Sequence, residues 1–194
     1  MTGFVHLRVH TEYSLVDSVV RVDALVESLE QRRMAACAIT DQGNVATLVR
    51  FYKTAMARAI KPIVGADVWV AESADDREPS RLALLCQNRV GFKRLSALLT
   101  KSAGLGPVRG RPALLREWLT VDALDGLIAL SGAQSGELGK ALGRDDARAA
   151  EILDYWRTLL PGRFYVELQR LGKPGEADYI GRAVRLAAAA RAPL

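Results

Sequence analysis

Five residues whose side chains can bind metal ions or carry protons lie on or just after apolar segments within the first 67 residues. They are His6, His10, Asp17, Asp41 and Asp67. Imidazole nitrogens and carboxylate oxygens are ligands of zinc, manganese and iron, and clustered metals activate water for phosphate-ester hydrolysis. The chain holds only two histidines in 194 residues. The spacing therefore leaves two interpretations open, a multinuclear metal site or a set of hydrogen-bonded structural residues.

The elements that must position these residues begin with a strand. Residues 5–9 alternate apolar and polar side chains, which is the pattern of a half-buried strand with His6, Arg8 and His10 on its polar face. Apolar residues at helical spacing predict a helix over 22–34. Residues 35–40 then form a short buried strand that ends at Asp41. The order strand, helix, strand is the start of an α/β fold.

The alternation continues to the end of the chain. Further helices are predicted over 44–60, 91–103, 145–160 and 176–192, and further strands over 62–70, 81–86, 127–130 and 164–168. Such βα units favour a parallel sheet, closed as a barrel or open as a doubly wound sheet. No glycine fingerprint follows the first strand, so we favour a barrel. Its strand ends would gather His10, Asp41, Asp67 and Ser131.

The loops and the end of the chain complete this organisation. Residues 71–80 and 104–112 are polar and rich in glycine or proline, and they are predicted to be surface loops. The chain stops where the last helix has ended and another apolar strand could begin. Because a barrel needs that strand, we expect the natural polypeptide to continue beyond residue 194.

Composition narrows the class of protein. The chain has 49% hydrophobic and 25% charged residues, which suits one globular domain. No apolar run reaches membrane-spanning length and no signal peptide is present, so we predict a cytoplasmic protein. Cys37 and Cys86 lie in apolar runs and are predicted to be buried thiols. The net charge of +5 is compatible with an ordinary basic surface or with nucleic-acid contact through the arginines of residues 109–116.

Several long motifs carry a resemblance to a known family. They are FVHLRVHTEYSLVDS (4–18), AITDQGN (38–44), KPIVGADVWV (61–70), LALLCQNRVGFKRLSALLTKS (82–102), GLIALSGAQSGELGKAL (126–142) and FYVELQRLGKPGE (164–176). In order and content they resemble the polymerase-and-histidinol-phosphatase (PHP) domain at the N-terminus of bacterial DNA polymerase III alpha subunits. The resemblance implies an α/β fold of the distorted, TIM-like (β/α)7 barrel type, here C-terminally incomplete. Residues 1–194 would be one PHP domain of a longer chain.

Metal-bearing members of this family hold up to three divalent ions at the strand ends, and the resemblance places those positions in this chain. They are occupied by Arg8, His10, Asp17, Asp41, Gln42, Asp67, Arg81 and Ala133. Arg8, Gln42 and Arg81 stand where the family has histidine. Asp67 replaces a glutamate, and Ala133 replaces a cysteine. A guanidinium cannot ligate a metal and an amide is a poor ligand, so we expect no bound metal and no catalytic residue in this domain.

The replacements suggest a different use of the same positions. If Asp17, Asp41 and Asp67 still converge, the guanidinium groups of Arg8 and Arg81 would relieve their mutual repulsion in place of metal ions. We therefore predict an arginine–carboxylate network. The alternative is that both arginines point to solvent.

Glu167 lies on a predicted strand, where two roles are equally compatible with the sequence. It is either a buried residue of the same site or a strand-face carboxylate paired with Arg163 or Arg170.

The resemblance implies a non-catalytic scaffold that stabilises a replicative polymerase and docks its proofreading exonuclease. Exposed apolar side chains on the outer helices would be the anchors, with Tyr155 and Trp156 as candidates. The parent enzyme would be a DNA-directed DNA polymerase, a nucleotidyltransferase that uses Mg²⁺. Its partners would be the rest of the polymerase chain, the exonuclease, and DNA through the holoenzyme, with no membrane. Two alternatives remain, a metal-dependent phosphoesterase or 3′–5′ exonuclease with residual activity, and a DNA-binding accessory domain.

Overall fold

A mixed β-sheet with helices packed against it forms the framework of the chain. The computed structural model describes residues 3–15, 17–105, 107–108 and 110–194. The helices are α1 (Val22–Gln31), α2 (Leu48–Met56), α3 (Arg89–Leu105), α4 (Glu137–Leu142), α5 (Asp146–Leu159) and α6 (Glu176–Ala190). The strands are β1 (Ala36–Ile39), β2 (Lys61–Ala71), β3 (Ser80–Cys86), β4 (Pro107–Val108), β5 (Arg111–Leu115), β6 (Leu127–Leu130) and β7 (Phe164–Tyr165).

Strand β2 is the centre of the sheet. Its first half pairs in parallel with β1, its last three residues pair in parallel with β5, and β3 runs antiparallel along its other edge. Beyond β3 come β6, which is antiparallel to it, and β7, which is parallel to β6. The expectation of an all-parallel sheet is therefore wrong at β3. No helix separates β2 from β3, so the chain turns straight back and the two strands pair antiparallel.

The first predicted strand is present only as an extended segment beside β1. His6 forms an isolated parallel bridge with Cys37. The carbonyl oxygens of His6 and Val9 accept hydrogen bonds from the backbone amides of Ala38 (2.7 Å) and Thr40 (2.8 Å). The predicted strand over 5–9 is therefore observed only as an extended segment at the edge of the sheet, because its backbone hydrogen bonds to β1 do not form a continuous ladder.

The sheet is strongly curved. From the segment at residues 6–9 to β7 there are five strand spacings, which in a flat sheet would separate the two ends by about 24 Å. Instead, Nη1 of Arg8 lies 2.8 Å from Oε2 of Glu167, just after β7. Within the described residues the sheet does not close into a cylinder, so the predicted barrel is not confirmed.

The two faces of the curved sheet differ in what they bury. On the outer face, α3, α4, α5 and α6 cover a large apolar core that includes Leu84, Leu127 and Phe164, and α1 and α2 pack with β1 in a second cluster. The inner face has a smaller cluster with Ala38 and Ala83 among its members. Small side chains on this face leave room for the polar groups described below.

Element boundaries differ from prediction where side chains compete for the backbone. The predicted helix over 44–60 is only Leu48–Met56, because the Asn44 side chain accepts from Ala46 N (3.0 Å) and donates to Gln42 O (3.0 Å), which holds a turn. The predicted strand over 164–168 is shortened to Phe164–Tyr165.

Three elements were not predicted. Strand β4 lies in the supposed surface loop over 104–112 and β5 lies partly in it; residues 106 and 109 of that loop are outside the described part. The short helix α4 was also missed.

The two cysteines differ in their exposure. Cys37 is buried as predicted and Cys86 is half-buried; burial raises their thiol pKa values to about 12 and about 11. In the described ranges, no helix is both long and apolar enough to cross a bilayer.

The junction between α3 and the turn before β6 gives a stability prediction. A methyl group at Gly91 would collide with the carbonyl oxygen of Gly126, whereas one at Gly104, in the same helix, would meet no atom within 4 Å. We expect Gly91→Ala to lower the free energy of unfolding by about 1–3 kcal/mol in urea titrations. The control Gly104→Ala should be neutral or stabilising by up to about 1 kcal/mol. Equal effects of the two variants would contradict this account of the close approach.

Candidate functional site: a buried charge cluster

A buried carboxylate on the inner face of β2 is the centre of the candidate site. The side chain of Asp67 has 0% exposure, and its oxygens accept from three cationic residues. Arg8 donates to Oδ2 from Nε (2.9 Å) and Nη2 (2.5 Å), and His10 reaches the same oxygen through Nε2 (2.8 Å). Arg81 donates to Oδ1 from Nε (2.9 Å) and to Oδ2 from Nη2. The alternative that Arg8 and Arg81 point to solvent is therefore wrong.

The register of the strands explains why these residues meet. Arg8 and His10 are two positions apart in an extended segment, so their side chains share a face. In the β2–β3 ladder Asp67 pairs with Ala83 and Trp69 pairs with Arg81, which sets Arg81 diagonally across from Asp67. Ala83 is small, so the Arg81 side chain can reach across to the carboxylate.

His10 joins a second carboxylate to the cluster. Its Nδ1 contacts Oδ2 of Asp17 while Nε2 contacts Asp67, and an imidazole that donates from both nitrogens is protonated. Burial alone would lower the pKa of His10, but the hydrogen bonds and charges of Asp67 and Asp17 raise it. Burial likewise favours a higher pKa for Asp67, yet the bonds from His10 and Arg81 and the charges of both arginines lower it to about 2.

Glu167 closes the cluster from the far end of the sheet. Arg8 Nη1 donates to both of its oxygens, at 3.0 and 2.8 Å, and Gly132 N donates to Oε2 (3.1 Å). Burial opposes the charge of Arg8, but Asp67 and Glu167 raise the pKa of its guanidinium. Of the two open interpretations, the buried site residue is the one observed. Arg163 instead donates to the carbonyl oxygens of Leu124 and Leu127.

Arg81 connects the cluster to Gln42 and, through the Trp69 ring, to the first residue of β5. In the amide orientation that satisfies its neighbours, Gln42 accepts from Arg81 Nη1 (2.5 Å). The guanidinium of Arg81 lies 4.6 Å from the centroid of the Trp69 ring, and that of Arg111 lies 4.2 Å from the same centroid. No pattern in the sequence indicates the role of Arg111, because its contact with Trp69 depends on strand β5, which was not predicted.

Asp41 follows strand β1, and its carboxylate forms a separate set of hydrogen bonds. Its oxygens accept from Thr11 N (2.6 Å), Thr11 Oγ1 (2.8 and 3.0 Å) and Ser14 Oγ (2.7 Å). These bonds hold the loop after residue 10 next to the end of β1. Asp17 and Asp67 therefore meet in the cluster, whereas the described side-chain hydrogen bonds of Asp41 come from hydroxyl and amide donors and not from the arginines.

Three further predicted positions, Ala133, Ser131 and His6, form no described side-chain contact with Asp67. Ala133 is in the turn after β6, beside Gly132, and supplies no polar side chain. Ser131 accepts from Glu167 N at 2.9 Å and so helps to hold that segment. His6 packs edge-on against the ring of Phe4, and no described contact joins it to the cluster.

The arrangement is balanced in charge. Arg8, Arg81 and protonated His10 face the carboxylates of Asp17, Asp67 and Glu167, which gives three positive and three negative groups. In the part of the chain that the structure describes, no group of three or more histidine, cysteine, aspartate or glutamate side chains is arranged to hold a metal ion. The cluster can tie distant strands together, and its carboxylates already have cationic partners.

The two candidate docking anchors differ in exposure. Trp156 is only 2% exposed, stacks on Phe164 and donates from Nε1 to Glu137 (3.0 Å). It is a core residue, and its assignment as a surface anchor is wrong. Tyr155 is partly exposed, with the Arg116 guanidinium 4.8 Å from its ring centroid.

Comparison with known proteins gives a consistent match. The family model of the PHP domain matches residues 6–171. The chain is 45% identical over 193 residues to the DNA polymerase III subunit alpha of Pseudomonas aeruginosa and 38% identical over 192 residues to that of Escherichia coli K12. These alignments cover 99% and 98% of the chain but 16% of each relative, in their N-terminal region. The chain therefore spans about one sixth of the length of these relatives.

Solved structures align with a smaller part of the chain than these relatives do. An amidohydrolase from Chromobacterium violaceum covers 52% of the chain at 21% identity and a TM-score of 0.41.

Removal of Arg8 should destabilise the fold, because the carboxylates of Asp67 and Glu167 would each lose a cationic partner. We expect Arg8→Met to lower the free energy of unfolding by about 3 kcal/mol or more in urea titrations. The control is Arg50→Met, which breaks a solvent-exposed pair with Asp23 and should leave the unfolding midpoint close to that of the unmodified chain. Comparable losses in both variants would show that Arg8 is not the central cation of the cluster.

The low pKa of Asp67 predicts how stability depends on pH. Its folded value of about 2 lies below the usual 3.8, so the carboxylate stabilises the fold above about pH 4, and this contribution is lost as the pH falls through 2. We expect the unmodified chain to lose about 2 kcal/mol more between about pH 5 and pH 2 than Asp67→Asn does. Asp75→Asn, in an exposed loop, serves as the control and should keep the original dependence. Parallel curves for the unmodified chain and Asp67→Asn would refute the assignment.

Proposed function

The chain belongs to the PHP domain family, and we propose that it serves as the N-terminal PHP domain of a replicative DNA polymerase III alpha subunit. In this proposal the domain is a metal-free, non-catalytic scaffold that stabilises the polymerase and docks a proofreading exonuclease. The parent chain would carry out DNA-directed DNA synthesis with Mg²⁺ in chromosomal replication, in the cytoplasm. The observation that carries the scaffold role is the saturation of Asp67 by Arg8, His10 and Arg81.

The residues present do not fit the divalent metals of metal-bearing PHP domains. A metal at Asp67 would have to displace guanidinium groups from a carboxylate that has no exposed surface. Both ring nitrogens of His10 are already occupied by carboxylates, and Ala133 offers no ligand atom. Two permanent cations within hydrogen-bonding distance of Asp67 would also repel a divalent ion. These points support a site in which arginine charges have replaced metal charges.

The alternative of a metal-dependent phosphoesterase is weakened by the same geometry. Hydrolysis of a phosphate ester in this family would need a water activated by clustered metals, and the described carboxylates are neutralised by cations.

A DNA-binding accessory role has less support as well. Arg111 stacks on Trp69 and Arg116 pairs with Glu72 and Glu137, so these cations are engaged within the domain. Arg109 lies outside the described residues.

We also propose that the curved sheet is part of a distorted (β/α)7 barrel. The contact between Arg8, ahead of β1, and Glu167, after β7, supports this, because it spans the two ends of the sheet order. The backbone amide of Val166 donates to the carbonyl oxygen of Pro193 (2.9 Å), which brings the end of the chain beside β7. Residues 1–194 would then act as one PHP domain.

The scaffold proposal is tested in the full-length polymerase. Because Arg8 only holds the domain together, Arg8→Met should shorten the half-life of DNA synthesis on a primed template under mild heating. The rate per active molecule at a permissive temperature should stay unchanged. In parallel, elemental analysis should find no stoichiometric zinc, manganese or iron attributable to the domain, and added Mn²⁺ should produce no phosphoesterase activity. Arg50→Met is the matched control for heat sensitivity.

Two results would overturn the proposal. Tightly bound metal with phosphoesterase activity that is lost on Asp67→Asn would establish a hydrolase. An Arg8→Met polymerase as heat-stable as the unmodified enzyme would show that the cluster does not stabilise it.

A further inference from the structure

A cavity of about 180 Å³ lies between the loop that joins β2 to β3 and the helices α4 and α5. Residues 72–79 form this loop, which we call the β2–β3 loop. The apolar floor of the cavity consists of Val70, Leu82, Leu138, Trp156 and Phe164. Its volume corresponds to about six water-sized groups, since a water molecule takes up about 30 Å³ in the liquid. A cavity of this size and lining fits a small molecule with an apolar body.

Four carboxylates line the cavity in two pairs, and the first pair shares one cation. Glu72, in the loop, and Glu137, in α4, both pair with the guanidinium of Arg116. Arg81 also lines the cavity, but its guanidinium is bound to Asp67 in the charge cluster. One positive charge against two negative charges leaves this pair with one negative charge in excess.

The second pair, Asp76 and Glu78, lies in the β2–β3 loop itself. The Asp76 carboxylate accepts from the backbone amides of Glu72 (2.9 Å) and Glu78 (2.8 Å), which hold it in place. Lys140 is the nearby cation, and its ammonium donates to the carbonyl oxygens of Glu78 (2.6 Å) and Pro79 (3.0 Å). Within the described ranges, neither carboxylate of this pair forms an ion pair. The second pair therefore also has one negative charge in excess.

The lining favours an organic cation over a metal ion. Among the residues that the structure describes, no group of three or more histidine, cysteine, aspartate or glutamate side chains is arranged to hold a metal. A hydrated metal ion would also gain nothing from an apolar floor. A chain of methylene groups can pack on that floor while its ammonium groups pair with carboxylates at the rim. Two ammonium groups joined by four methylenes amount to about six heavy atoms, which matches both the volume and the excess charge.

We propose that this cavity binds a linear aliphatic diammonium ion. One ammonium group pairs with Asp76 and Glu78, the other pairs with Glu72 and Glu137, and the methylene chain packs on the apolar floor. Because the carboxylates come from the β2–β3 loop and from α4, the bound ion joins the loop to the helix. This binding site goes beyond the scaffold role and does not depend on it.

The test is hydrogen–deuterium exchange of the full-length polymerase chain, measured by mass spectrometry at residues 72–80. Butane-1,4-diamine should slow exchange in this segment about threefold or more relative to sodium chloride of equal ionic strength, because a ligand that binds the closed loop reduces opening. Mg²⁺ lacks the apolar chain, butylamine lacks the second charge and ethane-1,2-diamine is too short, so each should slow exchange less. No slowing by butane-1,4-diamine, or equal slowing by Mg²⁺ or ethane-1,2-diamine, would overturn the proposal.

Two variants in the same loop locate the effect. Glu78→Gln removes one carboxylate of the cavity and should lose most of the slowing by butane-1,4-diamine. Asp75→Asn removes an exposed carboxylate that does not line the cavity, and it should respond like the unmodified chain. Both variants keep the backbone bonds to Asp76, so the loop should fold in each. An equal response of the two variants would contradict the site. Since the measurement involves neither DNA synthesis nor an exonuclease, its failure would leave the scaffold proposal unaffected.

Discussion

A carboxylate with no contact to water has to be compensated by its neighbours, and the site is organised around that requirement at Asp67. Transfer of an ion from water to a protein interior costs several kcal/mol even after relaxation. Here two guanidinium groups and an imidazolium supply the compensation; Arg8 and His10 come from the N-terminal segment and Arg81 comes from β3. The need to neutralise one group thus joins the N-terminal segment, β2 and β3.

The same interaction bears on the curvature of the sheet. Arg8 is shared between Asp67 at the centre and Glu167 at the far end, so one side chain spans what would otherwise be a distance of several strands. Ala83, which pairs with Asp67 in the β2–β3 ladder, allows this on one side, because a larger side chain there would compete with Arg81 for the space beside the carboxylate. In many barrels apolar packing fills the interior. In this chain, ion pairs among strand-end residues take part of that role.

Much of this arrangement could be predicted from local patterns, and the rest depended on distant contacts. The period of two in residues 5–9 placed Arg8 and His10 on one face, and both do meet Asp67. The pairing of Glu167 with Arg8 in preference to Arg163 or Arg170 could not be predicted, since it depends on how far the sheet curls. The partners of Asp41 were not predicted, because Thr11 and Ser14 are hydroxyl residues that a search for charged pairs does not detect. The antiparallel β3 could have been anticipated, because the sequence shows no helix between 62–70 and 81–86.

The balance of charge also bears on what this domain can contribute to a polymerase. A catalytic centre for phosphate chemistry needs uncompensated positive charge, from metal ions or free cations, directed at the substrate. In the Asp67 cluster every cation is already paired with a carboxylate, and the protonation states that sustain the pairing are favoured by the cluster itself. An anionic substrate would have to compete with carboxylates that are held in place by the fold. The physical consequence is a group of residues that joins separate segments of the domain, which agrees with the proposed scaffold role.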